Sequence, residues 1–454
     1  MVATRDVVDV QSLPLAPANP LPWPEKLRAL RTFHTGFEKL RDAGGPVTRL
    51  TLGPAWLIPP MVVVTSPQGG RDVLGRTDDF VDKNRVHEEF RNLLGGNLFS
   101  FMHDDWLPRR RSLQHIFTKQ HVRVFGGHMA QAAQAICDSW VGSDIIDLDR
   151  QCRLLTLRAL GRSVLGIDLD QRSQVIADSL GTATTYITDR GMRPVSAPAW
   201  LPTPARRRAR KAARTLHDLA MEILTACRRD PGRDAPLIRA LMDTVDRQTG
   251  LPLSDDAICQ ELILFMLAGH DTTSTALTYS LWQLGRHRDL QDRVRAEVDA
   301  LGHDRPAPED AGHLTYTVQV LHEALRLCPP GAALGRTAMR DIEVDGYRVT
   351  AGTMLGFGVW AVHRDPALWP DPLVFDPDRF TPERMKQLDR WQYLPFGAGP
   401  RSCIGDHFAK LEATLALATI ISRCEIVSLT DDFPVTVPFT AVAAAPVLAR
   451  VASR

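Results

Sequence analysis

The chain has 454 residues, of which 44% are hydrophobic and 24% are charged, with 54 Lys and Arg against 53 Asp and Glu. The resulting net charge of +1 excludes the strong basic excess typical of nucleic-acid-binding proteins, so we expect no nucleic-acid partner. The 7 cysteines are scattered singly, which is typical of a reducing compartment and not of a disulfide-rich secreted protein.

The N-terminal segment lacks the pattern of a secretion signal. Charged residues stand at Arg5, Asp6 and Asp9, ahead of a proline-rich arm that ends at residue 23. The longest apolar run, residues 262–268, is far shorter than the roughly 20 residues that cross a bilayer. We therefore expect a cytoplasmic monomer without a membrane anchor.

The first half of the chain alternates from a helix to strands and back to helices. Residues 24–43 show a helical pattern, and residues 47–58 and 61–65 alternate like strands. From residue 105 to 227 the pattern is mostly helical, with an interruption at residues 191–204.

The second half ends in a helix and short strands. In chain order we predict helices in 236–327, strands in 342–349 and 354–359, an irregular Pro/Asp-rich segment in 365–391, a helix in 406–423, and strands in 426–451. No Gly/Ser-rich linker divides the chain. We therefore predict a mainly α protein with small β-sheets (α+β), as one domain over residues 1–454.

One predicted helix carries polar residues where a buried helix would be apolar. Ser254 can cap a helix that continues to about Leu284, and residues 268–274 read Ala-Gly-His-Asp-Thr-Thr-Ser. Hydroxyl groups compete for backbone carbonyls, so we expect a bulge that opens a groove for a small molecule. Thr272 and Asp271 would then place an alcohol beside an acid, a pair suited to proton transfer. Alternatively, the threonines only satisfy their own helix.

A glycine-rich stretch, residues 396–405, sets one cysteine immediately before a predicted helix. A helix N-terminus and nearby cationic charge favour the thiolate form of Cys403, which is the form that binds metals. Gly399 and Gly405 allow sharp bends and the close approach of a flat cofactor. Arg401 offers a planar cation for a carboxylate. These features together predict a haem site with a sulfur ligand.

Two other interpretations of this stretch exist. One is a surface turn in which Cys403 is buried and inert. The other is half of a zinc site, since His407 follows Cys403 by four residues. No second Cys or His pair lies at a suitable spacing, so zinc is disfavoured.

The spacing of Phe396, Gly399, Arg401, Cys403 and Gly405 resembles the haem-binding motif of the cytochrome P450 family. The resemblance implies the cytochrome P450 fold, in the soluble bacterial type, with haem iron bound by the Cys403 thiolate. It further implies cofactor contacts for the residues Arg401, Phe396, Gly405, Ala268 and Gly269.

Three further pairs of residues match motifs of the cytochrome P450 family, and they occur along the chain in the same order as in that family. Glu323 and Arg326 resemble the family's Glu-x-x-Arg pair, and Arg379 matches the arginine that completes a buried triad. We assign this triad to folding and haem retention, without a chemical role.

Trp106 and Arg110 lie one helical turn apart, where an indole N–H and a guanidinium can bind a haem propionate. Arg336 matches another propionate-binding position of the family. By the same resemblance, Asp271 and Thr272 are the acid and alcohol that deliver protons for the activation of dioxygen.

The implied reaction is a monooxygenation of a lipophilic small molecule in secondary metabolism, such as a terpenoid, fatty acyl, steroid or polyketide substrate. Electrons would come from NAD(P)H through a ferredoxin reductase and a ferredoxin, docked near Arg109, Arg111 and Lys410. Alternatives are a haem-thiolate isomerase, dehydratase or peroxygenase, a non-catalytic haem sensor or electron carrier, and a haem-free helical binding protein.

Overall fold

The structure, a computed structural model, describes residues 9–54, 58–76, 80–142, 144–193, 197–198, 200–246, 249–303 and 305–454. Helices dominate the described part. In chain order they are α1 Trp23–Arg31, α2 Phe33–Gly44, α3 Pro67–Leu74, α4 Arg85–Leu94, α5 His103–Leu113, α6 Lys119–Val122, α7 Gly126–Ser139, α8 Leu148–Leu160, α9 Ser173–Met192, α10 Pro204–Arg229, α11 Pro236–Met242, α12 Asp255–Arg286, α13 Arg288–Asp299, α14 Thr315–Leu327, α15 Val359–His363, α16 Pro382–Gln387 and α17 Asp406–Arg423. Among these residues, no helix has the length and apolarity that a bilayer crossing requires.

The strands form small sheets at the side of the helices. They are β1 Val47–Leu50, β2 Met61–Val64, β3 Val81–Asp82, β4 Ile145–Asp147, β5 Leu334–Ala338, β6 Ile342–Val344, β7 Tyr347–Val349, β8 Met354–Phe357, β9 Cys424–Ser428, β10 Val435–Thr436, β11 Val442–Ala443 and β12 Leu448–Ser453. The largest sheet has the order β1-β2-β8-β5-β3, and only its β2–β8 pair is parallel. The others are β4-β12-β9, β6-β7 and β10-β11. The predicted α+β class is thereby confirmed.

Several details of the predicted secondary structure were wrong. The strand predicted over residues 47–58 ends at Leu50, and strands β3 and β4 were not predicted. Residues 24–43 form two helices, because Thr32 leaves the helical region with φ −119° and ψ 50°. Strand β5 was not predicted, although it lies between β8 and β3 in the largest sheet. Its Gly335 and Arg336 interrupt the apolar alternation by which strands are recognised.

Helix α12 runs through the middle of the protein, as its predicted length indicated. The Ser254 hydroxyl accepts a hydrogen bond from the Ala257 N–H at 3.2 Å, so the predicted cap is confirmed. The helix ends at Arg286, two residues after the predicted end. It packs against α8, α10, α14 and α17, which explains why most of its side chains are buried.

The predicted bulge in α12 is not present, since the helix is continuous over residues 255–286, all of which the structure describes. Hydroxyl groups bond to the carbonyl four residues earlier without breaking the helix. Thr272 Oγ1 donates to the Ala268 carbonyl at 2.6 Å, and Thr275 Oγ1 donates to the Asp271 carbonyl at 2.9 Å.

Two large apolar clusters meet along α12. Its first part, from Ile258 to Leu267, packs into one cluster, and its last part, from Ala276 to Leu284, packs into the other. The polar residues 268–275 lie between them. This arrangement leaves a gap in the packing beside the polar segment, and the cavity described below opens there.

Candidate active site

A cavity of about 430 Å³ lies beside the middle of α12. Its wall is mainly apolar and comes from helices, from β5 and from the cysteine loop, which we define as residues 396–405. Side chains far apart in sequence meet here. The sequence-predicted residues on the wall are Ala268, Gly269, Thr272, Arg336, Phe396, Arg401, Cys403 and Gly405.

Backbone geometry positions Cys403. The Cys403 N–H donates to the Phe396 carbonyl at 2.9 Å, which closes the loop on itself. Gly397 and Gly399 have φ +68° and +72°, in the left-handed region. A Cβ on Gly399 would lie 1.9 Å from the Leu74 carbonyl oxygen. Glycine is therefore required at this position both for the bend and for the contact with α3.

Gly405 has a different role from the sharp bend that we predicted. Its φ is −95°, which any residue adopts, so the chain does not need glycine there for conformational reasons. A Cβ on Gly405 would have no atom within 4 Å, although the residue lines the cavity. The missing side chain thus leaves space beside Cys403.

The Cys403 side chain is exposed, and the space that it faces is the cavity. Because this cavity lies within the protein, the thiol is withdrawn from bulk water. This desolvation and the nearby Asp406 carboxylate raise the pKa of Cys403, and they outweigh the lowering by the Gly405 N–H and by the charges of Arg110 and Lys410. We predicted from the sequence that the helix N-terminus and nearby cations favour the thiolate; Arg110 and Lys410 do lower the pKa of Cys403, but desolvation has the larger effect. A bound metal cation would supply the missing compensation for the thiolate charge.

Arg401 lies on the cavity wall and already has partners within the protein. Its guanidinium donates to Asp82 Oδ1 at 3.0 Å and to the Phe101 carbonyl at 2.9 Å. It also stacks on the Trp106 ring, with 4.2 Å between the guanidinium carbon and the ring centroid. Trp106 is not among the described cavity-lining residues, so in this structure it supports Arg401 from behind.

Arg110 supports the cysteine loop directly. Its Nη1 donates to the Ser402 carbonyl at 2.8 Å, next to Cys403, and burial lowers its pKa. Arg336, in contrast, lines the cavity and is only 7% exposed. Of the three arginines predicted to contact propionates, Arg336 and Arg401 thus face the cavity, and Arg110 lies behind the loop.

The acid of the predicted acid–alcohol pair is turned toward other protein groups. Asp271 is ion-paired with Arg153 of α8, and its Oδ1 lies 2.9 Å from His270 Nδ1. Burial raises the pKa of Asp271, but His270 and Arg153 together outweigh it and hold the pKa below its usual range. Asp271 is not among the described cavity-lining residues, whereas Thr272 is.

The structure brings Glu323, Arg326 and Arg379 together. Arg326 donates to both Glu323 carboxylate oxygens at 2.7 Å, and neither side chain of this pair is exposed. Arg379 Nε lies 3.5 Å from Glu323 Oε1. Arg326 also donates to the His363 and Pro372 carbonyls, so the cluster joins α14 to the end of α15 and to the irregular segment that contains Pro372.

Two buried acids next to the site were missed from the sequence. Glu412 of α17 is fully enclosed beside Thr273, and burial raises its pKa well above the usual range. Glu261 of α12 is 0% exposed and accepts a hydrogen bond from Arg109 Nη1 at 2.6 Å. A single acid within an apolar helical run is the signal that identifies both of them.

The contact between Arg109 and Glu261 corrects one part of the predicted docking surface. Arg109 is 7% exposed and cannot contact a partner protein. Arg111 is exposed. The Lys410 side chain is 34% exposed, and its Nζ lies 3.1 Å from Asp406 Oδ2, so both cations reach the surface while Lys410 also has an acidic partner within the protein.

The residues present fit a haem with a thiolate ligand. A sulfur atom faces an apolar cavity, a glycine beside it leaves room, and two arginines on the same wall match the charge of propionates. Among the residues that the structure describes, no three or more His, Cys, Asp or Glu side chains are grouped so that they could hold a metal ion.

Comparisons with known proteins agree with this geometry. The family model for cytochrome P450 matches residues 16–449. Cyclooctat-9-en-7-ol 5-monooxygenase of Streptomyces melanosporofaciens is 32% identical, over 84% of this chain and 82% of that protein. Pentalenene oxygenase of Streptomyces avermitilis is 30% identical, over 86% of each.

A mammalian protein and a solved cyanobacterial structure are also similar to this chain. Leukotriene-B4 omega-hydroxylase 3 of Mus musculus is 32% identical, over 75% of this chain and 70% of that protein. A solved structure described as retinoic acid bound cyanobacterial CYP120A1 has a TM-score of 0.84 at 25% identity, and the alignment covers 98% of this chain and 100% of that chain. The chain therefore belongs to the cytochrome P450 family, whose haem-thiolate members include monooxygenases, and is an oxidoreductase of this kind.

Proposed function

We propose that this protein inserts one atom of dioxygen into a terpenoid or fatty acyl substrate. The observation that carries the proposal is that Cys403 and Thr272, from two different elements, open onto one mainly apolar cavity. Such a cavity buries a lipophilic molecule and excludes water from it. The choice of substrate class is supported by relatives named for cyclooctat-9-en-7-ol, pentalenene and leukotriene B4.

Cys403 would bind the haem iron, and Arg336 and Arg401 would bind the propionates, with Trp106 and Arg110 supporting them. When bound, the haem supplies the redox centre at which dioxygen is activated. Phe396 and Gly405, beside Cys403, and Ala268 and Gly269, on α12, would contact the porphyrin. Gly269 also lets α8 approach, since a Cβ there would lie 3.0 Å from Leu160.

Thr272 and Asp271 would move protons into the cavity. The Thr272 hydroxyl donates to the Ala268 carbonyl and is open to the cavity, so it can pass a proton on by rotating about its Cα–Cβ bond. Asp271 is held by Arg153 and His270, and has to turn from Arg153 to reach Thr272. The proposed path therefore leads from the Arg153 side of α12 through Asp271 to Thr272.

A single set of spectra tests the proposed function. The reduced protein with carbon monoxide should show the absorbance of a thiolate-ligated haem, and lipophilic ligands should shift the spin state of the ferric form. Turnover should require NAD(P)H, a ferredoxin and a ferredoxin reductase. Product formation without any reductant would contradict monooxygenation and indicate an isomerase, dehydratase or peroxygenase.

Replacing Thr272 by alanine should uncouple oxygen consumption from product formation. Without the hydroxyl, protons reach the cavity through water, and product per NAD(P)H should fall several-fold while NAD(P)H is still oxidised. Thr278→Ala is the matched control. The Thr278 hydroxyl donates to the Ser274 carbonyl at 2.7 Å, and Thr278 is not among the described cavity-lining residues. Equal coupling in both variants would exclude the role of Thr272.

Arg111 and Lys410 are proposed to dock an acidic electron carrier, since both lie on elements that adjoin the cysteine loop. The variant Arg111→Glu with Lys410→Glu should slow reduction by a ferredoxin, and the salt dependence of that rate should weaken. Reduction by dithionite, a small molecule, serves as the control and should not change. A reduction rate and salt dependence equal to those of the native protein would place the docking surface elsewhere.

A further inference from the structure

Glu261 is a buried carboxylate that the proposed reaction does not use. It lies on α12, roughly three turns before Thr272, and is 0% exposed. Both of its oxygens lie 3.1 Å from the Leu98 N–H, and Oε1 also accepts the bond from Arg109. Replacing a buried ion pair by apolar side chains is often neutral for stability, so stability alone does not explain this pair.

The peptide that Glu261 holds belongs to an irregular turn, residues 97–101, which we name the Phe99 turn. Within this turn the Asn97 N–H donates to Ser100 Oγ, and the Ser100 N–H donates to Asn97 Oδ1, both at 3.1 Å. These bonds close the turn on itself. The bonds to Glu261 connect it to α12, because the Leu98 N–H has no partner inside the turn among the described bonds.

Phe99, the residue after Leu98, forms part of the cavity wall. Its ring packs against Phe439, also on the wall, with 5.5 Å between the ring centroids, and against Phe90 at 5.2 Å. A displacement of the Leu98 peptide would therefore move an aromatic ring of the cavity wall. Glu261 itself is not among the described cavity-lining residues, so any effect on the ligand passes through the turn.

Arg109, on helix α5, connects the other end of the Phe99 turn to the protein. It belongs to α5 and its guanidinium carbon lies 5.5 Å from the Phe101 ring centroid, at the other end of the Phe99 turn. Burial raises the pKa of Glu261 to about 7 although Arg109 lowers it, which shows how fully the carboxylate is withdrawn from water. Glu261 and Arg109 thus hold both ends of the turn between α12 and α5.

We propose that Glu261 is a positioning residue that fixes Phe99 on the cavity wall and thereby decides which molecules the cavity accepts. This proposal rests on the proposed function only in assuming that the ligand occupies this cavity beside the haem. Glu261 takes no part in the chemical step.

Azole ligands test the proposal in the haem-bound protein without knowledge of the substrate. Imidazole is small, whereas clotrimazole carries three bulky aromatic rings beside its iron-binding nitrogen, and both give a spectral dissociation constant. In Glu261→Gln the charge opposite Arg109 is lost, and one of the two oxygens beside the Leu98 N–H becomes an NH2 group, which cannot accept that bond. We expect the ratio of the two constants to change by roughly fivefold to tenfold, with the imidazole constant nearly unchanged.

A double-mutant cycle separates positioning from a general structural role. If Glu261 acts through Phe99, Glu261→Gln should change the ratio little in a Phe99→Ala background. The matched control is Glu297→Gln, since Glu297 also accepts backbone N–H bonds, from Tyr316 at 2.6 Å and Thr317 at 2.8 Å, outside the cavity wall. An equal change in both backgrounds, or a native ratio in Glu261→Gln, would overturn the proposal.

Hydrogen exchange gives a second and independent measurement. Exchange of the Leu98 amide should be faster in Glu261→Leu, which removes the acceptor, than in Arg109→Met, which leaves it. If Glu261→Leu does not fold, Glu261→Gln and the azole ratio decide the proposal. A protein that never binds haem would instead contradict the proposed function, so the two failures are distinguishable.

Discussion

Replacing Cys403 by serine is expected to abolish monooxygenation and the absorbance of a thiolate-ligated haem. A hydroxyl remains protonated at neutral pH and donates far less electron density to iron than a thiolate does. The reduced protein with carbon monoxide should therefore lose the thiolate-dependent band even where some haem is retained. The measurements are that difference spectrum, the haem content per chain and the rate of substrate oxidation.

Cys152→Ser is the matched control for this experiment. Cys152 is buried, and its side chain has a hydrogen bond with Thr278, so a serine hydroxyl at this position keeps a partner. We expect a native spectrum in this variant. A native thiolate spectrum in Cys403→Ser would show that the iron is bound by another residue, and the account of the site would then be wrong.

Of the substitutions proposed for this protein, Glu323→Gln is expected to cause the largest loss of folding stability. The change leaves the buried Arg326 and the partly buried Arg379 without their shared counter-charge, and breaking a buried ion pair costs roughly 3–5 kcal/mol. This is a large fraction of the total stability of a typical domain. We therefore expect a low yield of folded protein and rapid loss of haem, measured by denaturant unfolding and by haem transfer to an acceptor protein.

An exposed ion pair at the surface serves as the control for the loss of stability in Glu323→Gln. Asp299 pairs with Arg454 at 3.1 Å, and both side chains are more than one third exposed, at 53% and 36%. Asp299→Asn should change the free energy of unfolding by at most about 1 kcal/mol, because water screens exposed charges. If Glu323→Gln were no more destabilising than Asp299→Asn, the role of the triad in folding would be refuted.

For the stability of the protein, the burial of Glu323 and Arg326 matters more than their spacing in the sequence. Glu323 and Arg326 at i and i+3 meet on any helix, and an exposed pair contributes only a few tenths of a kcal/mol. In this protein both side chains are fully buried, and Arg326 uses its remaining N–H groups on carbonyls of two other segments. The pair thus also determines the path of chain that leads to the cysteine loop.

Local features were largely predictable from the sequence. The cap at Ser254 and the range of α17 depend on contacts within a few residues, and the structure has both as predicted; α12 ends two residues after its predicted end. The geometry of the cysteine loop is local in the same sense, since the Cys403 N–H donates to the Phe396 carbonyl of the same loop. Such features follow from backbone geometry and nearest neighbours.

The tertiary structure alone decided which charges are buried and what they contact. Arg109, Arg110 and Arg111 are consecutive, yet the first pairs with Glu261, the second supports Ser402, and the third is exposed. Asp271 contacts Arg153 instead of the cavity, and Arg401 bonds to an acid 319 positions away, Asp82. The amino-acid sequence by itself determined helices such as α12 and α17 and the ligand motif, because these depend on short-range interactions. The partners of the charged groups depend on which helix faces pack together, and this packing exists only in the folded chain.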